Sequence, residues 1–156
     1  MQLTQKETSF LKDLKGQEQI CVDKYNKYAS DAGDAQLKDL FTQIGQTEQQ
    51  HLNTINQIMS GATPAMQAGG NQQSQQKQMN FTPVYNAGTQ NQDMQKDSYL
   101  CTDALSTEKH VSSVYNTAVF EFKDTNIRTA LNHIQKEEQQ HGEQIYNYMA
   151  QNGMYS

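Results

Sequence analysis

The sequence predicts an all-α protein, an antiparallel four-helix bundle of two repeated αα-hairpins that a long crossover linker joins. The tetrapeptide Glu-Gln-Gln-His occurs at 48–51 and again, 90 positions later, at 138–141, and other identities share this offset. In four segments, apolar residues recur every three or four positions, the spacing of a helix face that packs into a core. The stretch 61–93 is rich in Gln, Asn and Gly with little periodicity, which is typical of a flexible linker.

The first hairpin is expected at residues 5–59 of a single domain that spans residues 1–156. Thr4 and Glu7 have the Thr-x-x-Glu spacing of a capping box, so the first helix should begin near residue 5. Gly33 should end this helix, and the second helix should run from about Ala35 to Met59 with Asp34 as its N-cap. Gly61 and Pro64 should then stop the second helix.

The second hairpin is expected at residues 94–152. Its first helix should run from about Met94 to Lys123, a turn should follow at 124–126, and the last helix should begin near Ile127. Gly153 is a plausible C-terminal cap. The linker carries one apolar patch, at 81–85, and the sequence leaves open whether this patch docks onto the bundle.

Charge and hydropathy exclude several classes of function. The formal net charge is -5 and the pI is about 5.3, and Lys and Arg form no basic stripe, so we expect no nucleic-acid partner. No apolar run is long enough to span a bilayer, and residues 1–7 lack the apolar core of a signal peptide, so we expect no membrane insertion. The protein should remain in the compartment that makes it.

Cys21 and Cys101 fall at non-equivalent places in the two copies. Free thiols in a reducing cytosol are therefore expected, as buried small apolar groups rather than ligands or redox groups.

Six polar residues interrupt the apolar stripes of the predicted helices. They are Glu18, Glu48, His51, Glu108, Glu138 and His141. Gly33 is equally distant along the chain from Glu18 and Glu48, so folding the first hairpin brings these two carboxylates level, with His51 one turn away. Lys123 stands in the same relation to Glu108 and Glu138. The bundle should therefore gather four carboxylates and two imidazoles in its core.

Four unpaired carboxylates in a core would cost much of the ~5–15 kcal/mol net stability of a domain. Two divalent metal ions would cancel this charge, with Glu48 and Glu138 as the bridging ligands. Two glutamates and two Glu-x-x-His motifs are the ligand set of ferritin-like di-iron and di-manganese bundles. Fe or Mn suits such ligands, and Zn would also be accepted. The alternative is a structural bundle whose polar layer is hydrated, or whose glutamates are protonated by burial.

Other polar residues lie near these six. Tyr25 and Tyr115 share the stripes of Glu18 and Glu108; they are either hydrogen-bond partners of the metal ligands in a second shell or amphipathic core aromatics. His110 and His133 fall off the stripes and should be exposed. Glu137 and Glu143 are expected at the surface, although Glu137 could also serve as an outer partner of the site.

Two stretches of the second hairpin resemble the coat-F type spore coat proteins of spore-forming bacteria. They are residues 105–116 and the C-terminal segment 142–155, where this chain has Met154 in place of an expected tryptophan. The resemblance implies a ferritin-like bundle that is made in the mother-cell cytoplasm and deposited in or under the spore coat. It implies other spore coat proteins as partners, with a homodimer as a further possibility, and no established catalytic activity.

The six polar residues separately resemble the ligands of the wider ferritin-like superfamily, which includes rubrerythrins and manganese catalases. The chain has no Cys-x-x-Cys pair, so it is not a complete rubrerythrin, and nothing marks the fifth helix of a ferritin cage. The predicted function is a spore coat protein whose Fe or Mn pair reduces peroxide or oxygen, a peroxidase- or catalase-like oxidoreductase if active. The alternative is a structural or interaction module without redox activity.

Overall fold

A computed structural model describes residues 2–65, 79–86 and 91–155, and all regular secondary structure within these ranges is helical. The helices are α1 (Gln5–Asp31), α2 (Ala35–Met59), α3 (Gln92–Val119) and α4 (Thr125–Gln151). Within the described ranges, the prediction of an all-α fold with four helices is confirmed. Residues 66–78 and 87–90 of the predicted linker lie outside the described residues.

The capping box at the start of α1 also connects the two hairpins. The Thr4 hydroxyl accepts the backbone N–H of Glu7 at 3.1 Å, and the Glu7 carboxylate accepts the N–H of Thr4 at 2.8 Å. The other Glu7 oxygen accepts the N–H of Lys123 in the turn between α3 and α4, at 3.1 Å. The bond from the Thr4 backbone is the main reason that the pKa of Glu7 is lowered. The start of the first hairpin is thus attached to the turn of the second.

Helices α2 and α4 both end in a glycine with positive φ. Gly61 has a φ of 84° and Gly153 a φ of 66°, a conformation that strains residues with a Cβ. The N–H groups that follow them turn back onto the helix ends, from Ala62 to the carbonyl of Gln57 and from Met154 to that of Met149. These Schellman motifs satisfy carbonyls that the helix itself leaves free, and the predicted cap at Gly153 is confirmed.

The end of α3 differs from the prediction. The helix stops at Val119 rather than near Lys123, although Phe122 is still buried at 3% exposure. The guanidinium of Arg128 donates to the carbonyls of Phe122 and Lys123, at 2.8 and 2.6 Å. The apolar spacing continued past the helix end because Phe122 packs into the core from the turn.

Both helices of the second hairpin begin earlier than predicted. α3 begins at Gln92 because the Asn91 side chain caps it, and α4 begins at Thr125 rather than Ile127. The Asp124 carboxylate supplies the cap of α4 by accepting the N–H of Ile127 at 3.1 Å. Because α3 also ends earlier, the turn between the two helices is residues 120–124, two residues longer than the predicted turn at 124–126.

One core runs through both hairpins. α1 packs mainly on α2 and α3 mainly on α4, and the hairpins meet where α1 contacts α3 and α2 contacts α4. Cys21 and Cys101 are buried free thiols, as expected, and burial raises the pKa of each. None of the described helices carries an apolar stretch long enough to cross a bilayer. Fully buried apolar side chains include Leu11, Leu14, Leu37, Phe41, Ile44, Val111, Leu131, Ile134 and Ile145.

The apolar patch of the linker docks onto one end of the bundle. Phe81 and Tyr85 are only 8% and 9% exposed, and the Phe81 ring meets Tyr148 edge-on at 5.3 Å. The Asn152 side chain accepts the backbone N–H groups of Val84 and Tyr85, at 2.9 and 3.2 Å. Both side-chain packing and backbone hydrogen bonds therefore hold this part of the linker.

Candidate metal centre

The six polar residues of the apolar stripes lie together in the bundle core. Their exposed fractions range from 0 to 5%. All four helices contribute to the group, since α1 provides Glu18, α2 provides Glu48 and His51, α3 provides Glu108, and α4 provides Glu138 and His141.

The six residues form two overlapping groups in which each residue offers one ligand atom and all such atoms lie within 4.8 Å of one another. One group is Glu18, Glu48, His51 and Glu138, and the other is Glu48, Glu108, Glu138 and His141. Each group could hold a metal ion. Glu48 and Glu138 belong to both groups, which is the position of bridging ligands between two ions.

Both imidazoles turn the same nitrogen toward the carboxylates. Nδ1 of His51 lies 3.2 Å from Glu48 and 3.1 Å from Glu138. Nδ1 of His141 lies 3.2 Å from Glu48 and 3.6 Å from Glu108. The two rings stack with their centroids 5.9 Å apart, so the histidines stand side by side.

Several of the buried ligand atoms have no hydrogen-bond partner in the part of the chain that the structure describes. One carboxylate oxygen of each of the four glutamates is in this state, and so is Nδ1 of His141. An unsatisfied buried polar group costs about 1–3 kcal/mol, and a charged one costs more. Oxygen and imidazole atoms that converge in a dry core without partners are the donor set that a divalent cation would satisfy.

The four carboxyl groups divide into two electrostatic classes. Burial, together with the nearby Glu138 charge, raises the pKa of Glu18 to about 10, and burial also raises the pKa of Glu108. Burial acts in the same direction on Glu48 and Glu138. There, however, close polar contacts outweigh it, mainly with His141 for Glu48 and with Glu108 for Glu138, and the pKa of each is lowered.

The two imidazoles carry the compensating charge. Burial opposes the charged form of His51 and His141, but the nearby carboxylates outweigh it and raise the pKa of both. Without a metal, these directions favour charged imidazoles and neutral Glu18 and Glu108 beside ionised Glu48 and Glu138. Protons keep the core neutral in that state, which is the charge balance that two divalent cations would provide.

Two tyrosines connect the hairpins through this group. The Tyr25 hydroxyl of α1 donates to Glu108 of α3, and the Tyr115 hydroxyl of α3 donates to Glu18 of α1. Both tyrosines are fully buried. They are thus core aromatics and also hydrogen-bond partners of the two glutamates with raised pKa.

Glu137 is only partly at the surface, since 22% of its side chain is exposed. One of its oxygens lies 2.6 Å from Nε2 of His51, and the other lies 3.3 Å from the half-exposed His133. His110 and Glu143 are exposed, as expected. The link to His51 joins two helices across the bundle, so spacing within one helix could not reveal it.

A second buried acidic cluster, which the sequence pattern does not predict, lies at the end of the bundle where the linker docks. Asp97 is fully buried and accepts the N–H groups of Gly33 at 2.8 Å and Asp34 at 2.9 Å. It also accepts the Tyr85 hydroxyl at 2.9 Å, while Asp34 accepts the Tyr148 hydroxyl at 2.7 Å. These hydrogen bonds hold the linker and the α1–α2 turn on α3 and α4.

The regular secondary structure of the described part of the chain is thus all helical, and its core contains a cluster of carboxylates and imidazoles that could hold metal. Residues 96–156 match the family model of the Coat F domain. This match supports the resemblance to coat-F spore coat proteins over most of α3 and all of α4, including Glu108, Glu138 and His141. No curated protein and no solved structure matches the chain.

Proposed function

We propose that this protein is a spore coat component that binds two divalent ions, Fe or Mn, in a ferritin-like core and reduces peroxide or dioxygen there. The observation that carries this proposal is the pair of overlapping four-residue groups that share Glu48 and Glu138. Two ions with two shared carboxylates account for all six residues at once. Neither a single ion nor a hydrated layer explains why the two groups overlap at the glutamates of the two Glu-x-x-His motifs.

The unsatisfied atoms favour metal over a purely polar core. A protonated cluster balances its charge but leaves an oxygen of each glutamate without a hydrogen bond. A metal ion would accept electron pairs from those same oxygens while keeping the net charge low. Metal binding would thus balance the charge of the cluster and also provide partners for its unpaired oxygens.

Each residue has a definite part in this arrangement. Glu18 and His51 would hold one ion and Glu108 and His141 the other, with Glu48 and Glu138 between them. The tyrosine hydroxyls orient Glu18 and Glu108 from the opposite hairpin, and such outer partners typically change metal affinity 10–100-fold. An Fe or Mn pair supplies the electrons for reducing peroxide or dioxygen, and the surrounding apolar core keeps water out.

The place of action that we propose is the spore coat, and the Coat F match over residues 96–156 supports it. Synthesis in the mother-cell cytoplasm and other coat proteins as partners are part of the same proposal. Peroxide and oxygen would reach a protein in the coat before they reach the spore interior. A metal pair in the coat would therefore be placed to reduce them first.

Metal content is the direct test. Protein purified without chelator and reconstituted with Fe(II) or Mn(II) should hold about two ions per chain by elemental analysis. Glu18→Gln should lower this to about one, because glutamine mimics the neutral acid of the metal-free state but cannot become an anionic ligand. Glu143→Gln, at an exposed position of α4, is the matched control and should retain both ions.

Two results would contradict the metal proposal. Fewer than about half an equivalent of metal after reconstitution would show that the cluster is not a metal site. Equal metal content in the Glu18→Gln variant and the control would show that metal binds elsewhere. Peroxide consumption by the metal-loaded protein, absent after metal removal, then tests the reaction itself.

The second candidate function is an interaction module of the coat without redox activity. One surface feature favours it: the rings of Tyr146 and Tyr155 meet edge-on at 4.9 Å while remaining 44% and 49% exposed. Aromatic side chains held rigidly at a surface are typical of protein interfaces. Coat assembly lost in a Tyr146→Ala, Tyr155→Ala variant that still binds metal would favour this function.

A further inference from the structure

The internal repeat allows the two halves of the metal centre to be compared residue by residue. An offset of 90 positions relates His51 to His141, and it relates Thr47 to Glu137 and Gln43 to His133. The two histidines are therefore equivalent, but the residues that cover their outer nitrogens are not.

The His51 half is closed on its outer side. Nε2 of His51 contacts the Glu137 carboxylate of α4 at 2.6 Å. His133 lies against the other oxygen of Glu137 at 3.3 Å. This pair of side chains fills the space next to His51, which is 2% exposed.

The His141 half opens into a pocket of about 130 Å³ between α2 and α4. The residue that would have to cover His141 is Thr47, whose side chain is two heavy atoms shorter than that of its counterpart Glu137. Among the described residues, Nε2 of His141 has no hydrogen-bond partner. The pocket is lined by Gln43, Ile44, Thr47, Glu137, Gln140, His141 and Gln144.

We propose that this pocket, which His141 lines and His51 does not, admits the small exogenous ligand of the metal pair. The inference rests on the proposed function and adds an entry side and a ligand class to it. The pocket has room for a few water molecules, so it fits dioxygen, peroxide or a small anion such as azide and excludes larger organic substrates. Amide and hydroxyl groups of Gln43, Thr47 and Gln140 suit a small polar guest.

The first test needs no metal. Diethyl pyrocarbonate should modify His141 faster than His51 in the metal-free protein, with each site quantified by mass spectrometry of peptides. Thr47→Glu should slow modification of His141 at least about tenfold by supplying the missing counterpart of Glu137, and Glu137→Thr should speed modification of His51 by a similar factor. Thr42→Glu, an exposed threonine of the same helix, is the control and should change neither rate.

The second test uses azide on the Fe(III)-loaded protein, followed by its absorption spectrum. Azide should bind the wild type and the Thr42→Glu control alike, and Thr47→Glu should raise the azide Kd at least about tenfold while still holding about two ions. Unchanged azide affinity in Thr47→Glu, or equal modification of His51 and His141, would overturn the pocket proposal and leave the metal proposal standing. A wild type without metal would overturn the proposed function instead.

Discussion

The bundle contains two buried acidic clusters that are built in opposite ways. At the end of the bundle, both oxygens of Asp97 accept hydrogen bonds from backbone N–H groups or a tyrosine hydroxyl. In the middle of the bundle, each of Glu18, Glu48, Glu108 and Glu138 keeps one buried oxygen without a partner. Both clusters are fully or almost fully buried, so burial alone does not distinguish them.

The difference shows which buried carboxylates are structural and which are candidates for function. A carboxylate that is satisfied by fixed protein donors is complete without any further group, and it stabilises the fold. A group of two imidazoles and several carboxylates whose oxygens lack hydrogen-bond partners needs added protons or cations to balance its charge. The Asp97 cluster therefore anchors the linker, and the central cluster is the candidate metal site.

The largest effect should come from removing the buried carboxylate of Asp97, which should lower stability without changing metal content. Asp97→Ala leaves the N–H groups of Gly33 and Asp34 without their acceptor, and it should lower the free energy of unfolding by about 3–5 kcal/mol. The melting temperature should then fall by about 10 °C, while metal content stays at the wild-type value. Asp93→Ala, at an exposed position of the same helix, should change the melting temperature far less.

The counterpart of that experiment is Glu18→Gln, which should lower metal content and leave the melting temperature of the metal-free protein almost unchanged. Loss of metal in Asp97→Ala, or a large loss of metal-free stability in Glu18→Gln, would break the distinction between the two clusters.

A second prediction concerns the pH dependence of the melting temperature, which should have opposite signs in the metal-free and the metal-bound protein. Glu18, with a pKa of about 10, and Glu108, His51 and His141 all have pKa values raised in the fold. Groups with a raised pKa stabilise the fold fully below their unfolded values, and this stabilisation is lost as pH rises through their folded values. The melting temperature of the metal-free protein should therefore fall between about pH 5 and pH 9.

With metal bound, the trend should be the opposite. Two ions must displace roughly four protons, two from imidazolium ions and two from the neutral acids, so apparent metal affinity rises with pH. The melting temperature with metal should rise over the same range, and a pH indicator in weak buffer should record about four protons released per two ions bound. A metal-loaded protein that follows the metal-free trend would contradict this proton–metal exchange.

The smallest effect should come from single tyrosine hydroxyls, one at each cluster. Tyr25→Phe removes a hydrogen bond to Glu108 and should weaken metal binding about 10–100-fold, measured by competition with a chromophoric chelator. Tyr148→Phe removes a similar bond to Asp34 and should cost about 1 kcal/mol of stability without changing metal affinity. Equal changes in metal affinity for both variants would show that Tyr25→Phe acts by destabilising the core in general and not through the lost hydrogen bond to Glu108.

Much of the fold could be read from local spacing. The capping box at Thr4, the cap at Asp34 and the break at Gly61 act within a few residues, so their sequence signals suffice to place helix ends. The apolar spacing predicts an end of α3 near Lys123, beyond the observed end at Val119, because Phe122 continues the spacing from the turn. Periodicity reports which side chains face the core and does not report whether the backbone beneath them is helical.

The central cluster could be predicted from local sequence patterns, whereas the Asp97 cluster could not. The six central residues were identifiable because each interrupts an apolar stripe and the repeat shows the pattern twice. Asp97 has no such repeat, and its partners Gly33 and Tyr85 lie in a turn and in the linker. The contact between Glu137 and His51 spans 86 positions, so it depends on the register of α2 against α4.

The amino-acid sequence by itself determined the two hairpins, the faces that they bury and the six polar residues on those faces, because helical periodicity and turn chemistry are local. Only the tertiary structure decided which buried polar side chains are partners of one another. The packing of the hairpins against each other leaves the glutamate oxygens unpaired, closes the outer nitrogen of His51 with Glu137 and leaves a pocket beside His141. These differences arise between side chains far apart in the chain, where distances depend on the packing of all four helices.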